Sequence, residues 1–293
     1  MKKIIALVMA VILCASVFTA CGEKQKTAPK GYPSDAVNKD DDTETIKQFV
    51  LCNQKGITVT SKSIGYSEAG GKLTHKALYL NVKNNSKKDV DVGIIKSSVN
   101  RYMIPSDSTV KVKAGKSKDF SASFDVTKLN NSEITTFAEL EFVVTVKDSE
   151  TGEDIIVTDP IRIKTSAADG FEYKSDQSGT SAYMGNGIHI VIQEIYYDEF
   201  SGQCINVFVS NNSKRNISLS LEDSKLNGKK VEAIYCSDVL ARKKDVSPIA
   251  FDADLEGEKI EEFTTSFSIV DSDTNKTIVK KTKPVTVKFD DEE

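Results

Sequence analysis

The sequence has few of the residues from which most enzyme sites are built. Its 293 residues include no tryptophan and only two histidines, His75 and His189. A single histidine in each half of the chain excludes a three-histidine zinc site and the H-E-x-x-H motif of metalloproteases. The chain also lacks the G-x-S-x-G and G-x-x-x-x-G-K-[ST] motifs of serine hydrolases and nucleotide-binding loops. We therefore predict a non-catalytic protein that needs neither a cofactor nor a metal ion.

Long apolar runs are also scarce, and the clearest one lies at the start of the chain. The stretch Ile4–Phe18 follows two lysines and is shorter than the roughly 20 residues that a membrane-spanning helix needs. It fits the apolar part of a secretory signal peptide. The next residues, Thr19-Ala20-Cys21, complete a segment that resembles the lipobox of bacterial lipoproteins.

This resemblance implies cleavage before Cys21 and a diacylglyceryl group on its sulfur. Residues 1–20 are then a lipoprotein signal peptide, and the mature protein is held by its lipid on the extracytoplasmic face of the bacterial cell membrane. Two acyl chains are enough for stable anchoring, whereas one chain binds only marginally. The alternative is an ordinary signal peptide with a chance cysteine.

The remaining cysteines give no sign of a redox or metal motif. No C-x-x-C occurs among the five cysteines of the chain. If Cys21 is acylated, the mature chain keeps Cys52, Cys204 and Cys236. Three is an odd number, so one disulfide of unknown pairing is an open alternative, and we expect free thiols.

Residues 21–47 are predicted to form a flexible tether. The stretch is rich in Lys, Asp, Pro and Gly and nearly lacks large apolar side chains, so it cannot offset the entropy of ordering. The run Asp40–Asp42 is interpreted as a solvated charge run, with a calcium site as the alternative. Removal of the signal leaves 37 basic and 43 acidic residues. This mildly acidic balance excludes nucleic acid as a partner, because binding to phosphates needs a basic surface.

The chain contains an internal repeat. The stretch LYLNVKNNSKKDVDV at Leu78–Val92 reappears at Ile205–Leu219 as INVFVSNNSKRNISL, 127 residues later. Matches continue through Asn100 and Asn227 and, at an offset of 123, through Thr151 and Thr274. Collinear matches of this length indicate two copies of one domain of about 100 residues.

Within each copy, apolar residues alternate with polar ones, as in Phe120-x-Ala122-x-Phe124. This period of two predicts strands with one face on a core and the other in water. Turn signals such as Asn227-Gly228 separate the runs. We interpret the N-N-S-basic-basic segments as hairpin loops, because Asn tolerates left-handed backbone angles.

The predicted fold is therefore all-β, with two tandem immunoglobulin-like β-sandwich domains of about seven strands each. The first domain covers residues 48–166 and the second covers residues 182–293. The linker, residues 167–181, is rich in Gly, Ser and Asp and should let the two halves move independently.

The order of these turn and core residues resembles a family of uncharacterised bacterial lipoproteins with immunoglobulin-like domains of unknown function. The residues that carry the resemblance are the N-N-S-basic-basic loops, the Phe-Asp strand ends and the D-S-x-T hairpins that precede a proline. They specify the fold and imply little about activity. One departure is the turn at Arg242-Lys243, which replaces Gly115-Lys116 of the first copy and is expected to differ from it.

The segment Tyr196–Gly202 is the first candidate for binding a partner. It is predicted to form a hairpin tip, where side chains are free to make contacts. We expect Tyr196 and Phe200 to contact a partner and Tyr197 to close the end of the sandwich. The counterpart segment, Gly65–Gly71, holds one aromatic residue. Specialisation of one copy explains this divergence, and drift in an unconstrained loop explains it equally well.

Further candidates are weaker. If the hairpin tip is not the site, the inter-domain surface around Phe171 and Tyr173 is the next candidate. The stretch Asp252–Gly257 partly matches a calcium loop. Its twelfth position is Phe263 and its flanks read as strands, which excludes an EF-hand and leaves a looser calcium site as an alternative.

Two functions from different classes fit these observations. The first is a non-catalytic, lipid-anchored protein that binds a protein or cell-envelope partner of unknown identity. The second is an extracytoplasmic enzyme or an accessory subunit of one. A solute-binding lipoprotein is disfavoured, because those folds alternate strands and helices and no helical period is present.

Overall fold

The computed structural model describes residues 44–69, 72–106, 108–198, 202–251 and 259–289. Strands make up 61% and helix 3% of this part of the chain, which confirms the all-β prediction. The described residues belong to one compact unit. No helix in these ranges has the length and hydropathy required to cross a membrane.

The first half is a sandwich of two antiparallel sheets with one short helix. One sheet has the order β1-β2-β3-β7, and the other has the order β10-β8-β4, with β6 paired to β4 and β9 paired to β8. The elements are β1 (Phe49–Gln54), β2 (Ile57–Ala69), β3 (Lys72–Asn84), β4 (Val90–Val99), β5 (Tyr102–Met103), β6 (Thr109–Val112), β7 (Lys116–Ser123), α1 (Val126–Asn131), β8 (Glu139–Asp148), β9 (Asp154–Val157) and β10 (Ile161–Lys164).

The second half repeats this arrangement. Its first sheet has the order β11-β12-β13-β18, which corresponds to β1-β2-β3-β7, and its second sheet is built around β14 and β19. The elements are β11 (Thr180–Gly185), β12 (Ile188–Asp198), β13 (Gly202–Asn211), β14 (Ile217–Leu226), β15 (Lys229–Lys230), β16 (Ala233–Ile234), β17 (Cys236–Val239), β18 (Lys243–Phe251), β19 (Glu262–Asp271), β20 (Thr277–Val279) and β21 (Val285–Lys288).

The repeated asparagines Asn84 and Asn211 have a different role from the predicted one. Neither has a positive φ, so the expectation of left-handed turn residues is wrong. The hairpin interpretation is wrong as well, because β3 and β4, like β13 and β14, lie in different sheets and do not pair. Both are fully buried at the ends of β3 and β13. Asn84 Nδ2 donates to the carbonyls of Lys88 and Val112 at 2.8 and 3.0 Å, and its Oδ1 accepts from Ser86. Each asparagine therefore ties the loop to a neighbouring strand, because a buried amide must have its donors and acceptor satisfied.

Left-handed backbone is found at the next pair of matched turns. Asn227 and Gly228 have φ values of 48° and 77°, and Asn100 and Arg101 have values of 50° and 71°. The Gly115 and Arg242 turns also share a conformation, with φ values of 71° and 64°. The expectation that the Arg242 turn differs is therefore wrong, since one backbone geometry is held by arginine in one copy and glycine in the other.

The two halves share a hydrophobic contact. The core of the first half includes three apolar residues of the second half, Val191, Phe208 and Val246, none of which is more than 4% exposed. Their side chains lie on one face of the β12-β13-β18 sheet, because Phe208 pairs directly with the other two. The expectation of independent movement is wrong for this reason, because separating the halves would expose these side chains to water.

Polar contacts complete the junction between the halves. The ammonium of Lys128 on α1 lies 2.5 Å from the buried carboxylate of Asp245 on β18. Lys243 on β18 pairs with Glu141 on β8 at 2.8 Å. One parallel bridge between β5 and β18 makes the sheets of the two halves continuous.

The folded part begins earlier than the predicted tether boundary at residue 47. Glu44 is buried and forms an ion pair with Lys76 at 2.7 Å. The same carboxylate accepts the backbone N–H of Phe137 at 2.8 Å. The predicted domain boundaries at 166 and 182 stay predictions.

Candidate functional site: a polar groove on the first sheet

The structure distributes the four predicted binding residues differently from expectation. Tyr196 is half-buried at the junction, where Asn131 of α1 donates to its hydroxyl at 3.4 Å. Burial raises the pKa of Tyr196 to about 12. Its hydroxyl is thus occupied by a contact between the two halves. Phe200 and the lipidation residue Cys21 lie outside the described residues.

The inter-domain aromatics Phe171 and Tyr173 contact each other. Their ring centroids lie 5.1 Å apart in an edge-to-face arrangement. The guanidinium of Arg101 lies 4.7 Å from the centre of the Tyr173 ring, a cation–π contact that spans linker and first half. These aromatics therefore pack the linker onto the protein, and their stacking is a structural role.

Tyr197 does not close the end of the sandwich. Its side chain is 64% exposed, so the predicted packing role is wrong. Its neighbour Tyr196 turns to the other side of β12 and takes the buried position, because successive strand residues face opposite ways. The sequence pattern predicted that the two tyrosines face opposite ways, but it did not predict which of them faces inward.

Other predicted features carry little chemistry in the part of the chain that the structure describes. His189 is half-buried, with its Nε2 3.1 Å from the hydroxyl of Ser181. The described residues contain no group of three His, Cys, Asp or Glu side chains that could hold a metal ion. Cys52, Cys204 and Cys236 are not in disulfides, as expected. Both calcium candidates, at Asp40–Asp42 and at residues 252–257, fall outside the described ranges.

An open groove lies on the outer side of the β1-β2-β3-β7 sheet. It has a volume of about 270 Å³. Four of its six lining residues have polar or charged side chains, and the other two are an aromatic and an aliphatic residue. The lining residues are Gln48, Lys62, Ser63, Tyr79, Leu80 and Asp119.

The carboxylate of Asp119 on β7 is held from two sides. Asn81 of β3 donates to Oδ1 at 2.6 Å, and Lys62 of β2 donates to Oδ2 at 2.9 Å. These two hydrogen bonds, first from the amide and then from the ammonium, hold the pKa of the Asp119 carboxyl below its ordinary value. The carboxylate therefore stays charged and oriented at the groove surface in neutral and mildly acidic solution.

The ring of Tyr79 is fixed by two contacts. Its hydroxyl donates to the backbone carbonyl of Tyr66 at 2.7 Å. The ring covers Gly65 on the neighbouring strand, where an added Cβ would meet ring carbon Cε2 at 3.4 Å. A half-buried aromatic ring is thus held in one orientation on the sheet, where its partner across β3 and β7, Ser121, lies two residues from Asp119.

This face has a direct counterpart in the second half. The register pairs Thr60 with Asn81 and Asn81 with Asp119 across β2, β3 and β7. The matching positions in β12, β13 and β18 are apolar and pack into the first half, as described above. The matched pairs are Thr60 with Val191, Asn81 with Phe208, and Asp119 with Val246. The same sheet face is therefore a buried docking surface in the second half and an open polar surface in the first.

The sequence contains a signal for this difference, which becomes visible when the two copies are compared. Phe208 stands between Val207 and Val209, so β13 has apolar residues on both faces, whereas Asn81 stands between Leu80 and Val82. A strand that is apolar on both faces indicates burial on both sides. Comparing the two copies position by position predicts one covered face and one open face.

Comparisons with known proteins identify neither a family nor an activity. No family model matches the chain, and no curated protein matches it. Two similar solved structures are the crystal structure of the YadV chaperone and that of a protein of unknown function from Porphyromonas gingivalis W83. The first is 10% identical over 73% of this chain and 92% of the chaperone, with a TM-score of 0.22. The second is 13% identical over 77% of this chain and 95% of the other, with a TM-score of 0.21.

Proposed function

We propose that the protein is a lipid-anchored, extracytoplasmic, non-catalytic binding protein of the bacterial cell envelope. Its polar groove and the surrounding outer face of the β1-β2-β3-β7 sheet bind the partner. The two sandwiches serve as a rigid support for this face.

The observation that carries the binding function is the open polar face itself. Its counterpart in the second half forms the docking contact between the halves. In the first half the same strands carry Thr60, Asn81 and Asp119, which suit a polar partner and not a second apolar sheet. Sites built on strands hold their side chains more precisely than sites on loops, which favours this face over the hairpin tip at Tyr196.

The anchor is supported by the sequence. Cys21 follows the apolar run and small residues that resemble a lipobox, and the polar segment after it is long enough to separate the sandwiches from the membrane. The mature chain has an excess of acidic residues, so attraction to anionic lipids does not hold it there. The lipid supplies the attachment.

The anchor is tested by the change Cys21→Ser. We expect the variant to appear in the medium or to remain unprocessed, whereas Cys236→Ser, the same change at an exposed cysteine, leaves the protein processed and in the membrane fraction. Normal processing and membrane retention of Cys21→Ser would overturn the lipobox interpretation. The measurement is cell fractionation with mass spectrometry of the N-terminus.

The binding face is tested by photo-crosslinking in the parent cells. A photo-reactive amino acid at Thr60 of the full chain, which pairs with Asn81 across β2 and β3, should capture an envelope component. The same amino acid at Ser220, an exposed strand residue of the second half, should not. Equal capture at both positions, or none at position 60, would contradict the proposal. Capture of an enzyme at position 60 would support an accessory subunit as the function.

A further inference from the structure

We infer that the groove binds a neutral glycan, a ligand with many hydroxyl groups and no net charge. This inference rests on the proposed binding function and names its ligand class. It is argued from the charge of the groove, the hydrogen-bonding capacity of Asp119 and the fixed ring of Tyr79.

The groove is close to electroneutral. Lys62 and Asp119 form an ion pair at 2.9 Å, and the remaining lining residues are uncharged. A phosphorylated or strongly acidic ligand would meet the Asp119 carboxylate, and a cationic ligand would meet the Lys62 ammonium. An uncharged ligand rich in hydroxyl groups meets neither penalty, and it finds both a donor and an acceptor side by side.

The Asp119 carboxylate has capacity for such a ligand. Each of its oxygens accepts one bond, from Asn81 or from Lys62, and each has a second lone pair. Side chains of Asp119 and Lys62 are 60% and 42% exposed, so these lone pairs are within reach of solvent. Two adjacent sugar hydroxyls can donate to the two oxygens, and such charge-assisted bonds are stronger than neutral ones.

The Tyr79 ring supplies an apolar surface next to these polar groups. Its hydroxyl is bound to the Tyr66 carbonyl and its ring covers Gly65, so the ring cannot rotate freely to follow a ligand. A preorganised aromatic surface with a few placed polar groups is the usual composition of a small-ligand site. The apolar C–H face of a sugar ring fits against it, while the hydroxyls at the edge of the sugar reach Asp119.

The matching face of the second half lacks the groups proposed to bind the glycan. The second half has Asn206 in place of Tyr79, Phe208 in place of Asn81 and Val246 in place of Asp119. The second half therefore lacks the carboxylate, the amide and the aromatic ring that the first half has at these positions. The second half, with its face buried, is not expected to bind a glycan.

The test uses the full lipidated protein in detergent micelles and two soluble probes, the tetramers of β-1,4-linked N-acetylglucosamine and β-1,4-linked glucose. Saturation-transfer NMR and calorimetric titration measure binding. We expect at least one probe to bind and Asp119→Ala to weaken it tenfold or more. Tyr79→Phe, which frees the ring from Tyr66, should weaken it several-fold.

The matched control is Asp223→Ala. Asp223 also forms an exposed pair with a lysine, Lys281, in the second half, and this pair lowers the pKa of its carboxyl. The change should leave glycan binding intact, and thermal melting should show that both variants are folded. Failure of both glycans to bind, or equal binding by wild type and Asp119→Ala, overturns the inference. If position 60 still captures an envelope protein in cells, the binding function stands and only the glycan is wrong; if it captures nothing, both fail.

Discussion

At the scale of single residues, the two repeated asparagines each tie a loop to a neighbouring strand of the same half. Asn84 and Asn211 are fully buried, and each satisfies its amide with the same set of partners in its own half. Asn211 Nδ2 donates to the carbonyls of Arg215 and Val239, and its Oδ1 accepts from Ser213. The asparagine thus links the loop between the two sheets to a strand 28 residues further along the chain.

This predicts a large effect of Asn84→Ala on stability. The change removes two donated bonds and two accepted ones and leaves buried carbonyls without their partners, so we expect unfolding to become easier by about 2 kcal/mol. Denaturant titration followed by circular dichroism measures it. The control Asn85→Ala removes an exposed amide and should stay within about 0.5 kcal/mol. Equal effects of the two changes would contradict the assigned role.

At the scale of elements, helix α1 and strand β18 form the polar part of the junction. Asp125 caps the helix by accepting the N–H of Lys128 at 2.9 Å. The capped helix carries the Lys128 ammonium to Asp245, which also accepts from the hydroxyls of Ser237 and Ser247. Asp245 is only 1% exposed, so these partners replace the water that a surface carboxylate would contact.

Removing the ammonium should therefore be costly. We expect Lys128→Ala to lower stability by about 3 kcal/mol, because it leaves a buried carboxylate without its counter-charge. The control Lys281→Ala breaks the exposed pair with Asp223, and it should change stability little because solvent screens that pair. Denaturant midpoints of both variants give the comparison, and a cost below 1 kcal/mol for Lys128→Ala would show that the pair does not hold the junction.

At the scale of the whole molecule, the two sandwiches act as one body. Apolar side chains of the second half, among them Phe208, lie in the core of the first. Because each half completes the burial of the other, we expect the full chain to unfold in a single cooperative transition. Scanning calorimetry should give equal calorimetric and van't Hoff enthalpies. Two resolved transitions would mean that the halves fold independently after all.

Acid should weaken this junction. Burial alone raises the pKa of Glu141, but hydrogen bonds from Lys243 and Arg162 outweigh it, so the pKa lies below its ordinary value of 4.5. A carboxyl whose pKa is lowered by folding stabilises the protein above the unfolded value, and this contribution is lost as the pH falls through the folded value.

The stability of the wild type should therefore fall below about pH 4.5. Part of that fall should disappear in Glu141→Gln, which is less stable than wild type at pH 7 and approaches it in acid. The control Glu172→Gln changes an exposed carboxylate, 73% accessible, and should leave the pH profile as it is. Melting temperatures between pH 3 and 7 provide the measurement, and parallel profiles of wild type and Glu141→Gln would contradict the prediction.

Much of the fold could be predicted because it depends on local patterns. Alternation in runs such as Phe120–Phe124 indicates strands, and the 127-residue offset indicates that the strands occur in two matched sets. The short helix α1 was missed, because its six residues are too few for a helical period to show. The groove was missed because its residues are contributed by separate strands, and only the sheet register brings Lys62, Asn81 and Asp119 together.

The sequence by itself determined the all-β class, the duplication and the positions of the turns. These follow from side-chain periodicity and backbone preferences, which act over a few residues. Only the tertiary structure decided what covers the apolar outer face of the second half. The sequence marks Phe208 as part of a continuously apolar strand, but the side chains that cover it belong to the other half of the molecule, so its burial depends on how the two sandwiches dock. The same docking leaves Asn81 and Asp119 in solvent, where they are available to a ligand.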